Sequence, residues 1–454
     1  MAINKQIFRE YDVRGIVDVD LTDNTVYLLG RGFGTFLRKR GLKTVALGGD
    51  ARLSTPRFKK LITEGLTHSG CDVFDVAILA TPTLYFSIHH LNVDAGLMIT
   101  GSHNPPSYNG FKMNVGLGSI YGKDIQEIYE IIKNEDFAEG DGVAQNVSGM
   151  VKTYQDYLVE HSKVEKPIKV VVDAGNGAGG PILPDVLRRL GCEVIELYCD
   201  MDGTFPNHHP DPTIVEYMQD LIKAVKDVKA DVGIGLDGDA DRIGVIAENG
   251  EMLFGDQVVN IFAREFLKEN PGEKVLADVK CSKVLFDDIE KHGGIPVMYK
   301  TGHSLLKKKM KEDDIKFGGE MSGHIFFKDR YLGFDDAIYA ACRFAEIVAK
   351  SDKKVSEMLA DQPKMYNTPE LRVGCTEENK FQIVEKVRDF FQNEGYKVND
   401  IDGMRLTFED GWGLVRASNT QPVLVMRFEA TSIERMNEIQ KLVEDKIKEI
   451  KNNL

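Results

Sequence analysis

The segment VVVDAGNGAGG, residues 170–180, leads on to RLGCEVIEL, residues 189–197, and its reading decides how the chain is built. An unbroken apolar run reads as a strand buried on both faces, which suits a parallel sheet with helices on either side. A polar, glycine-rich turn follows, then an amphipathic helix that ends at Gly191, then a second apolar strand. That strand begins roughly 20 to 25 residues after the first, the length of a βαβ unit.

The same pattern occurs twice more. VALGGDARLSTPRF, residues 45–58, leads to HSGCDVFDV, residues 68–76, and KVLADVKCSKVLFDDI, residues 274–289, leads to KHGGIPVMYK, residues 291–300. Repeats in series predict three related α/β domains. In such sheets ligands sit at the carboxyl ends of the strands, where the polar turns fall.

The end of the chain differs. GMRLTFEDGWGLVRASNTQPVLVMRFEA, residues 403–430, reads as strands with short turns. Ile433, Met436, Ile439, Val443, Ile447 and Ile450 form a stripe at helical spacing, expected to pack a terminal helix on a small sheet. Repeat spacing places the domains at 1–149, 150–251, 252–363 and 364–454, with short linkers because no stretch is low in complexity.

At 454 residues, 42% apolar and 28% charged, the chain is an ordinary globular one of several domains. Its formal charge of −14 argues against a general nucleic-acid or anionic-membrane surface, so any phosphate must be held by local groups. Six cysteines without C-x-x-C spacing, and a start without an apolar signal region, read as a reduced, cytoplasmic protein. No apolar run approaches the roughly 20 residues needed to span a bilayer.

The sharpest constellation is LDGDADR, residues 236–242. Asp237, Asp239 and Asp241 alternate, so in an extended loop their carboxylates can converge, and three crowded carboxylates repel unless a cation lies between them. All-oxygen ligation favours a hard ion, usually Mg²⁺ where phosphate is handled. An acidic surface turn or half of a calcium loop is the alternative; an EF-hand needs a twelfth-position glutamate and flanking helices, whereas residues 243–246 continue as a strand.

TGSHNPPSYNGFK, residues 100–112, should be a stiff exposed loop that presents the Ser102 hydroxyl, because Gly101 removes a shielding side chain and Pro105-Pro106 continue neither helix nor sheet. A turn serine bonded to its own backbone would look the same. Serine is a poor nucleophile without a base, a metal or cationic donors, and His103, Lys112 and Arg242 are at hand.

In GGEMSGH, residues 318–324, Glu320, Ser322 and His324 alternate and could bind a sugar's hydroxyls; a satisfied structural turn explains the loop equally well. RASNTQP, residues 416–422, offers Arg416, Ser418, Asn419 and Thr420 to a phosphate dianion, or is a hairpin turn of mixed polarity. Gly175, Gly177 and Gly180 match the dinucleotide fingerprint, but Pro181 and Pro184 follow at once and no acidic residue clearly ends the next strand. His89-His90 and His208-His209 lack metal-like partners and read as structural.

Taken in order, FREYDVRG, TGSHNPPSYNGFK, DGDADR, KTGHSLLKKKM, GGEMSGH and RASNTQP resemble the α-D-phosphohexomutase family, and within it the bacterial phosphomannomutase/phosphoglucomutase group, over essentially the whole chain. The resemblance implies a heart-shaped enzyme: three topologically related α/β domains plus a smaller α+β C-terminal domain, each lending a loop to a central cleft. It implies reversible interconversion of hexose 1-phosphate and hexose 6-phosphate, of mannose or glucose. The route is a phosphoserine enzyme and a hexose 1,6-bisphosphate that turns end for end, glucose 1,6-bisphosphate serving as activator and intermediate.

Carried over by motif, Ser102 is the phosphoserine; Asp237, Asp239 and Asp241 hold Mg²⁺ with a phosphoserine oxygen. Glu320 and Ser322 read sugar hydroxyls. Arg416, Ser418, Asn419 and Thr420 grip the phosphate that is not reacting. Arg14, His103, Lys112, Arg242, Lys280 and His303 line the cleft and assist charge stabilisation or proton transfer, with the general base left open. The implied partners are small-molecule hexose phosphates, with no nucleic acid, membrane or obligate protein partner. The rival readings are a phosphoglucosamine mutase, against which Met321 speaks, and a non-catalytic sugar-phosphate sensor.

Overall fold

The computed structural model of the chain describes residues 3–376, 378–418 and 422–453. In the second repeat the strand Lys169–Asp173 lies between Glu193–Leu197 and Val232–Leu236, parallel to both, and Val232–Leu236 pairs antiparallel with Ile243–Ala247. In the first repeat Thr44–Gly49 lies between Asp72–Ile78 and Ala95–Ile99, and Ala95–Ile99 pairs antiparallel with Tyr108–Val115. In the third, Lys274–Asp278 lies between Ile295–Tyr299 and Phe317–Gly319, and Phe317–Gly319 pairs antiparallel with Ile325–Phe327.

Each unit therefore has the spatial order second, first, third, fourth, with direction reversing only between the third and fourth strands. The loop at that reversal is residues 100–107 in the first unit, 237–242 in the second and 320–324 in the third. These are the serine loop, the aspartate loop and the Glu-Ser loop. One topological position has taken three chemistries.

The strands that carry these loops are buried on both faces, as the continuous apolar runs predict: residues 95–99 and 232–236 are buried throughout. One apolar core runs through all three units, from Ala46, Leu84 and Met98 through Val172 and Ile234 to Phe262, Phe317 and Phe344.

The C-terminal unit is an antiparallel sheet built on Met404–Thr407, Gly411–Ala417 and Val423–Ala430, covered on one face by the helices Lys380–Asn393 and Ile433–Asn452. Val415, Met426 and Phe428 pack with Ile383, Val387, Ile439, Val443 and Ile447 on that face, so the predicted stripe is a packing stripe, with Ile433 left half exposed. Strand periodicity sends the alternate residues Arg405, Trp412, Leu414, Arg416, Arg427 and Glu429 to the other face. There Trp412 and Leu414 meet Val279 of the third unit.

No helix among the described residues is long and apolar enough to cross a membrane. All six cysteines are free.

Candidate active site

The reversal loops of the first two units meet at Ser102 and Asp237. Ser102 is in the left-handed region at φ 49°, and its amide donates to Thr100 Oγ1 at 2.8 Å. Its hydroxyl donates to Asp237 Oδ2 at 2.8 Å and lies 3.1 Å from His103 Nδ1. The loop is exposed at Pro105, Pro106 and Ser107, but Ser102 itself is only 2% exposed, so the hydroxyl faces the carboxylates rather than solvent. The sequence-based expectation of a hydroxyl presented to solvent is corrected here: docking against the second unit, a long-range contact, buries it.

Asp237, Asp239 and Asp241 are fully buried, and each offers an oxygen within 4.8 Å of the others. The amides of Asp241 and Arg242 donate to Asp237 Oδ1 at 3.1 and 3.2 Å. Thr81, at the start of the helix Thr81–His90, donates its hydroxyl to Asp239 Oδ2 at 2.6 Å. Lys112 Nζ reaches Asp239 Oδ2 at 2.7 Å and Asp241 Oδ2 at 2.5 Å. Burial, then the charges of Asp239 and Asp241, push the Asp237 carboxyl well up. Burial acts the same way on Asp239, but Lys112 outweighs it and holds that carboxyl below the usual range.

These residues fit a hard cation. Asp239 Oδ1 and Asp241 Oδ1 are buried without a hydrogen-bond partner, and the Lys112 ammonium pairs with only two of the three carboxylates. Unpartnered buried carboxylate oxygens are costly, and an oxygen-seeking ion beside them and Ser102 Oγ would relieve that cost.

Around this centre the predicted residues join in a chain of contacts. Arg14 donates to Asn104 Oδ1 at 2.8 Å, bracing the serine loop. Burial, then Arg242 and Arg14, drive the His103 imidazole well below its ordinary pKa, so it is neutral near pH 7. Arg242 Nε donates to His324 Nε2 at 3.1 Å, which puts the His324 proton on Nδ1, 3.3 Å from Asp335. His303 Nδ1 donates to the same carboxylate at 2.9 Å, and burial lowers its pKa against the pull of Asp335. The two rings stack at 5.2 Å.

In the third unit's loop Glu320 Oε2 accepts from Ser322 at 2.9 Å and Oε1 from the Gly302 amide at 2.6 Å. His324 does not join that pair; it turns to Arg242 and Asp335. Arg416 pairs with Asp402 at 2.9 Å, which also accepts from the Thr301 amide at 3.1 Å, tying the C-terminal unit to the loop that carries His303. Lys280 lies 3.7 Å from Glu370 at the same junction. Ser418 is buried, and its amide donates to Val423 O at 3.0 Å. Asn419 and Thr420 lie outside the described residues.

Asp335 and Lys307 were not read from the sequence. Lys307 Nζ holds Asp335 Oδ1 at 2.7 Å, and the other carboxylate oxygen accepts from His303 Nδ1 and lies 3.3 Å from His324 Nδ1. The Asp335-Asp336 doublet, in an otherwise unremarked stretch, was the only available signal. Two glycines of residues 175–180 pack against the aspartate loop: a Cβ on Gly177 would sit 2.7 Å from Gly238 O and one on Gly179 2.8 Å from Ala240 Cβ, and the Ala178 amide donates to Gly238 O at 3.0 Å. His208 is structural, paired with Asp173 at 3.0 Å beneath the same turn.

Four family models match in order. They are described as phosphoglucomutase/phosphomannomutase alpha/beta/alpha domains I, II and III, over residues 5–139, 152–250 and 254–366, and the C-terminal domain, over residues 370–446. A phosphomannomutase/phosphoglucomutase of Pseudomonas aeruginosa is 44% identical over 449 residues, covering 99% of this chain and 96% of that protein. A phosphoglucomutase of Neisseria gonorrhoeae is 44% identical over 445 residues, covering 97% and 96%. The crystal structure of a phosphoglucomutase/phosphomannomutase family protein from Burkholderia thailandensis superposes with a TM-score of 0.94 at 40% identity, over 99% of this chain and 98% of that one. With the repeated topology and the loops that meet at Ser102, these likenesses place the chain in the phosphoglucomutase/phosphomannomutase family of α-D-phosphohexomutases.

Proposed function

We propose that this chain interconverts the 1- and 6-phosphates of glucose and mannose by lending a phosphoryl group from Ser102 and recovering another. The observation that carries the reading is the meeting of Ser102 Oγ with Asp237 at 2.8 Å, beside two further buried carboxylates with unpartnered oxygens. Asp237, Asp239 and Asp241, with an oxygen on Ser102, would hold Mg²⁺. When bound, the ion would balance the carboxylates and polarise the phosphoryl oxygens.

In the forward half-reaction the bond from phosphorus to Ser102 Oγ breaks as a bond forms to the free O1 or O6 hydroxyl of the sugar phosphate. The hydroxyl proton passes to a neutral imidazole of the cluster, and Arg14, Lys112 and Arg242 balance the spread charge. Glu320 and Ser322 read the sugar hydroxyls. Arg416 and Ser418, with Lys280 nearby and Asn419 and Thr420 following in sequence, hold the phosphate that does not react. The 1,6-bisphosphate then turns end for end, returns its other phosphoryl group to Ser102, and recovers a proton on the oxygen it leaves. Added glucose 1,6-bisphosphate would recharge a dephosphorylated serine.

The reading includes working unit boundaries at 1–149, 150–251, 252–363 and 364–454. It also includes a cytoplasmic location, which six free thiols suit. No observation favours an amino-sugar substrate or a non-catalytic sensor.

The test is a coupled assay of glucose 1-phosphate and mannose 1-phosphate conversion, with Mg²⁺ and a trace of glucose 1,6-bisphosphate. Turnover of both by the wild type is expected, and Ser102→Ala should lose at least roughly 10⁴-fold in kcat. Conversion of glucosamine phosphate alone would overturn the substrate, and silence on all three the enzyme.

A further inference from the structure

Arg52 belongs to none of the motifs that carry the family likeness. It follows the first strand of the first unit, Thr44–Gly49, and its side chain is wholly buried. A guanidinium carries five N–H donors in a rigid plane. Here Nε donates to Asp50 Oδ2 at 3.2 Å, Nη1 to Pro105 O at 2.6 Å and Tyr108 O at 2.8 Å, and Nη2 to Ser102 O at 2.8 Å and Asn104 O at 2.6 Å. Four of the five bonds end on backbone carbonyls of one loop, the loop of Ser102.

Asp50 takes the near side of the same loop. It accepts from the Thr100 hydroxyl at 2.8 Å and the Gly101 amide at 3.2 Å. Gly101 lies against the guanidinium so closely that a Cβ there would collide with Arg52 Cζ, which gives this glycine a physical purpose beyond uncovering the serine. The second unit closes the arrangement from outside, with the Phe205 ring 5.2 Å from Cζ and Gly203 packed on the Arg52 backbone.

A left-handed, non-glycine serine is strained and persists only where its surroundings over-determine it. Arg52 and Asp50 supply that constraint. We propose that Arg52 is the positioning residue of the reacting serine: it fixes the backbone on both sides of Ser102 so that Oγ meets Asp237 and the incoming hydroxyl in one alignment. The inference rests on the mutase reading and deepens it. Arg52 touches no reacting atom; its effect passes through four carbonyls.

The test uses full-length wild type and Arg52→Lys. Lysine keeps the charge and loses the planar fork. Four quantities are read: kcat and KM for glucose 1-phosphate, the rate at which Mg²⁺ and glucose 1,6-bisphosphate load a phosphoryl group onto the protein by intact mass, Tm, and amide hydrogen exchange. Expected is a fall in kcat of roughly tenfold to a hundredfold with KM near wild type, loading slowed by the same factor, and faster exchange confined to residues 100–109. A kcat and loading rate equal to wild type, or a loss that tracks only the fraction folded, overturns the inference. Should Arg52→Lys fail to fold, Asp50→Asn removes the other side of the clamp and must give the same split between kcat and KM, or the inference falls. Failure of the wild type itself to load sinks the mutase reading instead. The exchange measurement then still decides the clamp, because unchanged protection of residues 100–109 refutes it whatever the reaction.

Discussion

The molecule has two kinds of junction. The first three units share one apolar core: Phe86 packs against Tyr154 and Tyr157, Tyr85 against Phe334, and Tyr157 against Tyr331, so aromatic rings cross every boundary among them. The C-terminal unit is mounted on the third by arginines. Arg405, stacked 3.8 Å from the Trp412 ring, donates to Val279 O and to Cys281 O, and Arg427 donates to Lys280 O at 2.6 Å. Ser282 and Trp412 both donate to Glu429 Oε1, each at 2.7 Å. Apolar junctions are held by area and resist sliding as a whole; hydrogen-bonded ones can be exchanged for water one bond at a time. On the proposed mechanism the reacting groups would sit on the apolar-jointed units, and the groups proposed to grip the second phosphate on the unit mounted largely by hydrogen bonds. The bisphosphate of the proposed mechanism, which turns end for end, would use both.

The sharpest way to break this contrast is Phe334→Ala. Phe334 is 1% exposed between Tyr85 and Tyr331, and truncation should cost about 3–5 kcal/mol, read as a lower midpoint of one shared calorimetric transition for the first three units. Separate transitions in the wild type would show that the three units are not joined as argued. A smaller effect is expected of Arg405→Met at the polar junction, about 1–3 kcal/mol. Faster amide exchange should appear in residues 279–282 and the C-terminal sheet, with the first three units unchanged. Exchange rising throughout the chain would erase the distinction.

The smallest effect is a pH dependence inside the fixed half. Burial pulls the His208 pKa down, but the hydrogen bond and charge of Asp173 outweigh it and raise it above 6.5. The native state thus binds this proton more tightly than the unfolded chain. The stability it supplies is whole below about pH 6.5 and is lost as pH rises through the higher native value. His208→Gln should lower Tm most near pH 6, by an effect of roughly 1 kcal/mol, and progressively less toward pH 9. A difference constant across that range would remove Asp173 from the account.

The parallel strands, the three repeats and the aspartate loop were legible because each is a local pattern: runs of valine, a recurring glycine-ended helix, carboxylates at alternate positions. Short strands such as Phe317–Gly319 and Ile325–Phe327 were not, since three residues carry no usable period. Nor were Asp335 and Arg52, whose partners stand far away in sequence; Lys307 and the carbonyls of residues 102–108 reach them only through the fold. The burial of Ser102 failed for the same reason. Its loop looks exposed until the second unit is docked on it. The glycine-rich turn of residues 175–180, set aside as a nucleotide motif because prolines follow it, has its glycines at close packing contacts such as that of Gly177 on Gly238.

On the proposed reading the reversal loops of three successive units, and residues after them in the C-terminal unit, each supply one part, so no single unit would carry the chemistry. During synthesis Ser102 emerges well before Arg416. On the proposed mechanism, a chain that stops short of Arg416 would carry Ser102 and its carboxylates without the group proposed to hold the second phosphate.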